Sequence, residues 1–133
     1  MINGINHITL STRKTEQSFL FYKDVLGLTP VFKSKDTIYF RQADLWLALS
    51  FDLNTRTEVL PEYSHVAFTV KQVDFPIIAQ RIRASGTSLF KENRSEGDSL
   101  YFLDPNGHKL EIHAGDCESR LEHYRSQNHP GFE

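Results

Sequence analysis

Residues 5–11 read INHITLS, and residues 64–70 read SHVAFTV. Both segments alternate apolar and polar side chains as a half-buried β-strand does, and each has a histidine close to its start, His7 and His65. The two histidines are 58 residues apart in a chain of 133 residues. A segment that recurs at this distance indicates that the chain is built from two similar halves.

The same order of secondary structure is predicted in both halves. In the first half the strand is followed by a helix over 15–26, which ends at Gly27, and by strands at 37–41 and 45–49. The second half is predicted to contain a strand, a helix and three further strands, at 64–70, 74–85, 88–90, 99–103 and 109–113. Each half is therefore close to a β-α-β-β-β unit.

The predicted fold class is α+β, with two paired β-α-β-β-β modules in a single domain that spans 1–133. A chain of this length has room for one hydrophobic core, or for two small modules that share one. Module one is expected at about 4–51, module two at about 63–114 and a C-terminal helix at about 116–125. Residues 127–133 are polar and are expected to be loose.

Composition and charge exclude several classes of function. The formal net charge of -2 gives the chain no overall basic field that would attract the phosphate backbone of a nucleic acid. No apolar run approaches the roughly 18 residues that a membrane-spanning helix needs, so we expect a cytoplasmic protein with neither a nucleic-acid nor a membrane partner. Cys117 is the one cysteine, cannot form an internal disulfide and is interpreted as incidental.

Superposition of the two halves places metal ligands at matching positions. His7 falls on His65, and Glu111 falls on Ala48 when one extra turn residue is allowed at Gly107. A lone strand histidine is more often a hydrogen-bonded side chain than a ligand, but its repetition in both halves favours ligands. Two histidines and one carboxylate with open coordination positions are typical of a catalytic metal site. The sequence therefore predicts a divalent cation that acts on a small anionic substrate.

Further candidates surround these ligands. The polar loop at 91–99, which reads KENRSEGDS, is either an anion or cation site or an exposed connection. Arg120 is a candidate guanidinium for a phosphate-like group, or it forms a surface ion pair. Thr9 lies on the same strand face as the first histidine, and Tyr39 and Trp46 either wall the same cavity or pack in the core. Four histidines are expected to be solvated: His108, His113, His123 and His129.

Several of these segments resemble the fosfomycin-resistance glutathione transferases of the vicinal oxygen chelate superfamily. The similarity covers about residues 1–125. Its most specific part is NRSEGDSLYFLDPNGH at 93–108, which NHITL at 6–10, LWL at 45–47 and LEIHAG at 110–115 support.

The resemblance implies a homodimer with exchanged strands, in which His7 of one subunit joins His65 and Glu111 of the other around Mn²⁺ or another divalent cation. It assigns a K⁺ site to four residues of the polar loop: Asn93, Ser95, Gly97 and Ser99. It assigns the phosphonate end of fosfomycin to five residues: Lys91, Ser95, Ser99, Tyr101 and Arg120. Thr9 is implied to contact the substrate at the metal.

The implied activity is opening of the fosfomycin epoxide by the thiol of glutathione, which gives antibiotic resistance. Tyr39 is similar in position to a tyrosine that helps to activate the thiol, and Trp46 is expected at the substrate cavity. A divalent cation acts as a Lewis acid and stabilises the charge that develops on the epoxide oxygen. Lys91 and Arg120, together with K⁺, compensate the charge of the phosphonate.

Two other functions remain as alternatives. Relatives that use water have a glutamate base close to the position of Asp44. One alternative is therefore a metal-dependent epoxide hydrolase in which Asp44 activates water. The other interpretation of Asp44 is that it is only a turn residue. The other alternative is a drug-binding protein of the same fold without chemistry. The three metal ligands argue against that protein, because a pure binding module has no need for a metal with open positions.

Overall fold

The structure, a computed structural model, describes residues 1–132 and divides them into two compact units. Unit 1 consists of Met1–Tyr63 and Leu103–His108. Unit 2 consists of Ser64–Phe102 and the chain from Lys109 onward. Each unit contains a four-stranded mixed sheet and at least one helix, which confirms the predicted α+β class. The prediction of one domain with modules at 4–51 and 63–114 stays a prediction.

Unit 1 follows the predicted order, with one strand that the sequence did not predict. Its elements are β1 Ile8–Thr12, α1 Thr15–Leu20 with a π-helical turn Phe21–Val25, β2 Thr29–Lys33, β3 Thr37–Gln42 and β4 Leu45–Phe51. The sheet order is β1-β4-β3-β2, with β1 and β4 parallel and the other pairs antiparallel. The unpredicted strand β2 is an edge strand with Pro30 and a register shift, both of which hide the usual alternation.

Unit 2 repeats this arrangement. Its elements are β5 Val66–Thr69, α2 Phe75–Ala84, β6 Leu89–Lys91, β7 Asp98–Leu103, β8 Lys109–Ala114 and α3 Cys117–Ser126. The sheet order is β5-β8-β7-β6, with β5 and β8 parallel. The tail that was expected to be loose contains a 3-10 turn at Pro130–Phe132, and Glu133 lies outside the described residues.

Strand register confirms how the halves were aligned. In unit 1 Thr9 of β1 pairs with Ala48 of β4. In unit 2 Ala67 of β5 pairs with Glu111 of β8. Ala48 and Glu111 therefore occupy equivalent positions beside equivalent strands, as the superposition of the sequence predicted.

Each sheet has one fully buried face, as its alternating sequence requires, and the central strands also bury residues of the other face, such as Ala48 and Glu111. In unit 1 the fully buried side chains include those of Ile38, Phe40, Leu47 and Leu49, and in unit 2 those of Ile82, Phe102 and Leu110. Unit 1 also buries a polar contact, in which the Tyr22 hydroxyl donates to Asp104 Oδ2 at 2.7 Å. Burial, together with the charge of Asp104, raises the pKa of Tyr22 well above its ordinary value of 10.0.

None of the helices formed by residues 1–132 has the length and apolar character that crossing a membrane requires.

Candidate active site

The centre of the candidate site is a contact between His65 and Glu111. His65 immediately precedes β5, and Glu111 lies in β8, the parallel neighbour of that strand. His65 Nε2 is 2.9 Å from Glu111 Oε1. The Glu111 side chain is only 6% exposed, whereas that of His65 is 29% exposed. A nearly buried carboxylate next to a more accessible imidazole is a suitable donor set for a divalent cation that reaches solvent on one side.

The second carboxylate oxygen of Glu111 is held by Ser99 of β7. Ser99 Oγ is 2.6 Å from Glu111 Oε2 and also 2.6 Å from His113 Nδ1. An ionised carboxylate only accepts hydrogen bonds, so the single hydroxyl proton of Ser99 goes to Glu111. His113 Nδ1–H then donates to Ser99 Oγ, which fixes the tautomer of the imidazole.

The expectation of a solvated His113 was therefore wrong. Its side chain is 14% exposed and is enclosed by two glycines. A Cβ at Gly97 would lie 2.8 Å from His113 Cε1, and one at Gly115 would lie 2.7 Å from His113 Nε2. His113 follows Glu111 by two residues on the same strand, so the alternation of β8 was a signal that placed both side chains on one face.

The expectation was also wrong for His108, which accepts from Arg56 through Nδ1 and donates from Nε2 to Ser11 O at 2.7 Å. His123 is half-buried, and His129 is exposed as expected.

Helix α3 brings Arg120 to the same region. Asp116 starts the helix with a capping box, in which its side chain accepts from Ser119 N at 2.8 Å and Ser119 Oγ accepts from Asp116 N. The Arg120 guanidinium donates to Ser95 Oγ and Glu96 O, both at 3.4 Å. The cap defines where the helix begins and therefore which side chain faces the polar loop.

These groups share one cavity. Its volume is about 410 Å³. The lining residues are His65, Ala67, Glu111, His113, Asp116, Cys117, Arg120, Leu121 and Tyr124. The predicted metal ligands of unit 2 and the predicted phosphonate arginine thus face one space. Cys117, interpreted as incidental from the sequence, is exposed at its wall.

The polar loop folds onto itself. Asn93 Nδ2 donates to Gly97 O at 2.7 Å, and Asn93 Oδ1 accepts from Ser95 N and Ser95 Oγ. Gly97 has a φ of +82°, a conformation that favours glycine. Three oxygens of the predicted K⁺ site, on Asn93, Ser95 and Gly97, are gathered by these bonds. The hydroxyl of Ser99, the fourth residue of that set, contacts Glu111 instead.

Lys91 and Tyr101 complete the predicted residues of unit 2. Lys91 Nζ lies 4.7 Å from the centre of the Tyr101 ring, close enough for a cation–π contact. Tyr101 is 4% exposed, and its ring meets that of His65 edge-on with the centroids 6.1 Å apart. The tyrosine therefore packs between a cationic side chain and a predicted metal ligand.

Three of the remaining predicted residues, His7, Trp46 and Tyr39, form a second cluster, in unit 1. The rings of His7 and Trp46 are 4.5 Å apart, and Trp46 meets Tyr39 edge-on at 5.3 Å. His7 is exposed and has a hydrogen bond of 2.7 Å between Nδ1 and Asn6 Oδ1. Thr9 is also exposed, as expected for a residue on the same strand face.

The other two positions singled out in unit 1 carry no such contacts. Ala48 is 5% exposed and lies at the position equivalent to Glu111. Asp44 is exposed in the two-residue turn between β3 and β4, next to Ala43 with a φ of +51°.

Comparison with known proteins decides the family. The sequence matches the Glyoxalase/Bleomycin resistance protein/Dioxygenase superfamily over residues 4–112. Glutathione transferase FosA of Serratia marcescens is 40% identical over 135 residues, which cover 99% of this chain and 95% of FosA. The crystal structure of fosfomycin resistance protein FosX from Mesorhizobium loti is 31% identical, with 91% of this chain and 99% of FosX covered and a TM-score of 0.75. The chain belongs to the fosfomycin-resistance enzymes of this superfamily. The resemblance found in the sequence is thereby confirmed.

Two further proteins are similar over nearly the whole chain. Metallothiol transferase FosB of Staphylococcus haemolyticus (strain JCSC1435) is 38% identical, with 94% of this chain and 93% of FosB covered. A crystal structure of mutant FosX from Listeria monocytogenes, complexed with Mn(II) and 1S,2S-dihydroxypropylphosphonic acid, has a TM-score of 0.79 at 30% identity. That comparison covers 93% of this chain and 99% of FosX.

The donor set of this fosfomycin-resistance enzyme fits a divalent cation in part. An imidazole nitrogen of His65 and a carboxylate oxygen of Glu111 are ligand types that Mn²⁺ and similar cations accept, and they converge to 2.9 Å. Within residues 1–132 no group of three His, Cys, Asp or Glu side chains is arranged to hold a metal ion. Two of the three predicted ligands, His65 and Glu111, therefore lie together in unit 2. The third, His7, belongs to the cluster of unit 1.

Proposed function

We propose that this enzyme opens the epoxide of fosfomycin by adding the thiol of glutathione. The observation that carries the proposal is the His65–Glu111 contact in a cavity that also contains Arg120. The 40% identity to glutathione transferase FosA supports the choice of thiol. The proposal includes a cytoplasmic location, because glutathione is kept reduced in the cytosol.

The phosphonate end of the substrate would be bound by donors of unit 2. Arg120 supplies a planar fork that suits phosphonate oxygens, and Lys91 supplies a second positive charge. The hydroxyls of Ser95 and Tyr101 would add neutral donors. Ser99 would become a third donor by turning its hydroxyl proton from Glu111 to the phosphonate. Arg120 Nη2 already reaches Ser95 Oγ at 3.4 Å, so little movement is needed to turn these donors towards an anion. A phosphonate needs such partners to leave water.

His65 and Glu111 would hold a divalent cation, Mn²⁺ or similar, together with His7. When bound, this cation supplies Lewis acidity to the epoxide oxygen and so favours cleavage of the C–O bond. Ser99 and His113 orient Glu111 through the contacts of 2.6 Å described above.

A strand-exchanged homodimer is part of the proposal. The cluster around His65 contains only two of the three predicted ligands, and His7 of the partner subunit would be the third. In a symmetric dimer this arrangement produces two identical sites, each built from both chains. The sequence resemblance implies the same arrangement.

The loop Asn93–Ser99 would bind K⁺ next to the phosphonate. The Gly97 carbonyl and the side-chain oxygens of Asn93 and Ser95 are already close together. A monovalent cation there would add positive charge without a further side chain.

The thiol side of the reaction is assigned to the cluster of unit 1. Thr9 would contact the substrate near the metal, Tyr39 would donate a hydrogen bond that favours the thiolate of glutathione, and Trp46 would wall the cavity. The thiolate sulfur forms a bond to the less hindered epoxide carbon while the C–O bond of that carbon breaks. The released alkoxide takes up a proton, which balances the proton lost by the thiol.

A second candidate is addition of water to the same epoxide. The similarity to FosX, whose structure contains a dihydroxypropylphosphonic acid, favours this candidate. Asp44 would then act as the base. Its exposed place in a hairpin turn supports the transferase instead, because no described contact holds the carboxylate in a fixed orientation.

Mass spectrometry of fosfomycin tests both candidates. Metal-stripped protein is incubated with the drug, then with Mn²⁺ and K⁺, with and without glutathione. The transferase predicts a metal-dependent mass gain of one glutathione, which Glu111→Gln abolishes. A gain of one water in the absence of thiol, lost in Asp44→Asn, would establish the hydrolase and contradict the transferase. Unchanged drug under every condition would refute both candidates.

A further inference from the structure

Unit 1 contains a second cavity, which the proposed reaction does not use. Its volume is about 330 Å³. The lining residues are Arg13, Lys14, Arg56, Thr57, Pro105 and Asn106. Three of these six side chains are cationic and none is acidic. The cavity lies at the corner between β1 and α1 and at the turn that follows β7.

The positive charges of this cavity are not neutralised within the described chain. None of Arg13, Lys14 and Arg56 forms an ion pair with a carboxylate in residues 1–132. Lys14 Nζ reaches only a carbonyl, Pro105 O at 3.3 Å. Arg56 Nη2 reaches the neutral nitrogen His108 Nδ1 at 3.2 Å, and the buried Arg56 Nε has no hydrogen-bond acceptor. A buried donor without an acceptor is costly, so an anion that supplied one would be favoured.

Asp104, the acidic residue of the neighbouring turn, already accepts hydrogen bonds from other groups. Asp104 Oδ1 accepts from the backbone N–H groups of Asn106 and His108, at 2.8 and 2.9 Å. Asp104 Oδ2 accepts from the Tyr22 hydroxyl at 2.7 Å and from Asn106 Nδ2 at 3.3 Å. Because four donors converge on this carboxylate, it has little capacity left to compensate the three cations.

Hydrogen bonds fix Asn106 and orient Arg56 in the wall of the cavity before any ligand arrives. Asn106 Oδ1 accepts from Thr12 Oγ1 at 2.9 Å and from Arg13 N at 3.3 Å. His108 Nε2 donates to Ser11 O at 2.7 Å, which leaves Nδ1 as the acceptor that orients Arg56. The Arg56 guanidinium, which is already oriented, therefore loses less entropy on binding than a flexible side chain does.

We propose that this cavity is a binding site for a phosphate group, either inorganic phosphate or a small phosphate monoester. Two guanidinium forks and one ammonium match the oxygens and the charge of a phosphate dianion. The volume is at the lower end of the range for small-molecule pockets, roughly 300–1,000 Å³. The site goes beyond the proposed function, because it shares no residue with the cavity around His65 and Glu111.

Site-resolved NMR separates this site from the candidate active site. Amide spectra of the full ¹⁵N-labelled chain are recorded with increasing inorganic phosphate or glycerol 3-phosphate, with chloride replaced so that ionic strength stays constant. We expect saturable shifts at Thr57 and Asn106, besides any shifts at Ser95 and Gly97. Tighter binding of glycerol 3-phosphate would identify a monoester as the ligand, and tighter binding of inorganic phosphate would identify the free ion.

The decisive variant is Arg13→Gln combined with Lys14→Gln, since both side chains are exposed and their loss leaves the Arg56–His108 contact intact. The dissociation constant measured at Asn106 should rise about tenfold or more, as expected for loss of charge-assisted hydrogen bonds. The control, Arg83→Gln with Lys35→Gln, removes the same charge at exposed positions outside the cavity and should leave the constant unchanged. Shifts confined to residues 91–99, or equal weakening in both double variants, would overturn the proposal.

Discussion

Ser99 Oγ lies 2.6 Å from both Glu111 Oε2 and His113 Nδ1. One hydroxyl thus joins a predicted metal ligand to a histidine that the sequence did not single out. The relay runs in one direction, from His113 to Ser99 to Glu111, because the carboxylate only accepts. It leaves Glu111 Oε1 free to face His65 Nε2 at 2.9 Å.

Removal of this hydroxyl should weaken metal binding. In Ser99→Ala, Glu111 loses its donor and gains rotational freedom, so we expect the dissociation constant for Mn²⁺ to rise about 10- to 100-fold, as for other groups that orient a ligand. This constant is measured by titrating the metal-stripped protein with Mn²⁺ in the absence of substrate. The electron paramagnetic resonance signal of free Mn²⁺ reports the unbound metal. Ser88→Ala changes an exposed serine outside the site and serves as the control. Equal affinities of the two variants would contradict the orienting role of Ser99.

Gly97 should be far less tolerant of a side chain than Gly86. Both glycines have positive φ, +82° and +78°, so alanine pays a similar backbone cost at each position. A Cβ at Gly97 would also lie 2.8 Å from Ala114 O and from His113 Cε1, whereas one at Gly86 meets nothing within 4 Å. We expect Gly97→Ala to lower the free energy of unfolding by about 1–3 kcal/mol more than Gly86→Ala does. Urea denaturation compares the two, and equal losses would show that the loop moves away without cost.

Tyr22 should make the stability of the protein sensitive to alkali. Burial and Asp104 raise the pKa of Tyr22 in the folded state above 10.0, so the folded chain keeps a proton that the unfolded chain releases. The stabilisation that comes from the protonated Tyr22 is fully present below pH 10. It is lost as the pH rises above that value towards the pKa of Tyr22 in the folded state. Unfolding free energies between pH 8 and 11 should therefore fall more steeply for the wild type than for Tyr22→Phe.

The same variant has a cost at neutral pH. Tyr22→Phe removes one donor from the buried Asp104 Oδ2, which then keeps only Asn106 Nδ2 at 3.3 Å. We expect a loss of about 1–3 kcal/mol in the unfolding free energy at pH 7. Identical pH profiles for both proteins would contradict the assignment of the alkaline effect to Tyr22.

Mixed subunits should reveal whether the metal site is shared. If His7 joins the His65–Glu111 pair of the other chain, a dimer of one His7→Ala chain and one Glu111→Ala chain contains one intact site. Random mixing of the inactive variants should then restore about one quarter of the wild-type sites in a symmetric dimer. The rate of formation of the glutathione adduct measures the recovery.

The matched control mixes His65→Ala with Glu111→Ala. These two ligands lie in the same unit of one chain, so no heterodimer has both intact in one site and no activity should return. Recovery in the control, or none in the first mixture although each variant dimerises, would exclude the exchanged arrangement.

Much of the fold follows from short-range patterns in the sequence. The alternation around His7 and His65 and the turn residues Gly27 and Gly86 predicted the strands and the ends of both helical segments, because side-chain periodicity is a local property of the backbone. Strand β2 was missed because Pro30 and a bulge interrupt that periodicity. The recurrence of the strand segment in the two halves also aligned Ala48 with Glu111, and the strand register confirms this alignment.

The contacts within each site were decided by the tertiary structure. Ser99 meets His113 and Arg120 meets Ser95 only because strand order, a helix cap and a glycine turn bring distant residues together. The cationic cavity likewise joins side chains from three separate segments, at 13–14, 56–57 and 105–106. The sequence by itself determined which chemical groups are available and on which strand face they lie. A hydrogen bond tolerates a change of only a few tenths of an ångström in the donor–acceptor distance. The partners of those groups were therefore decided only by the packing of the folded chain.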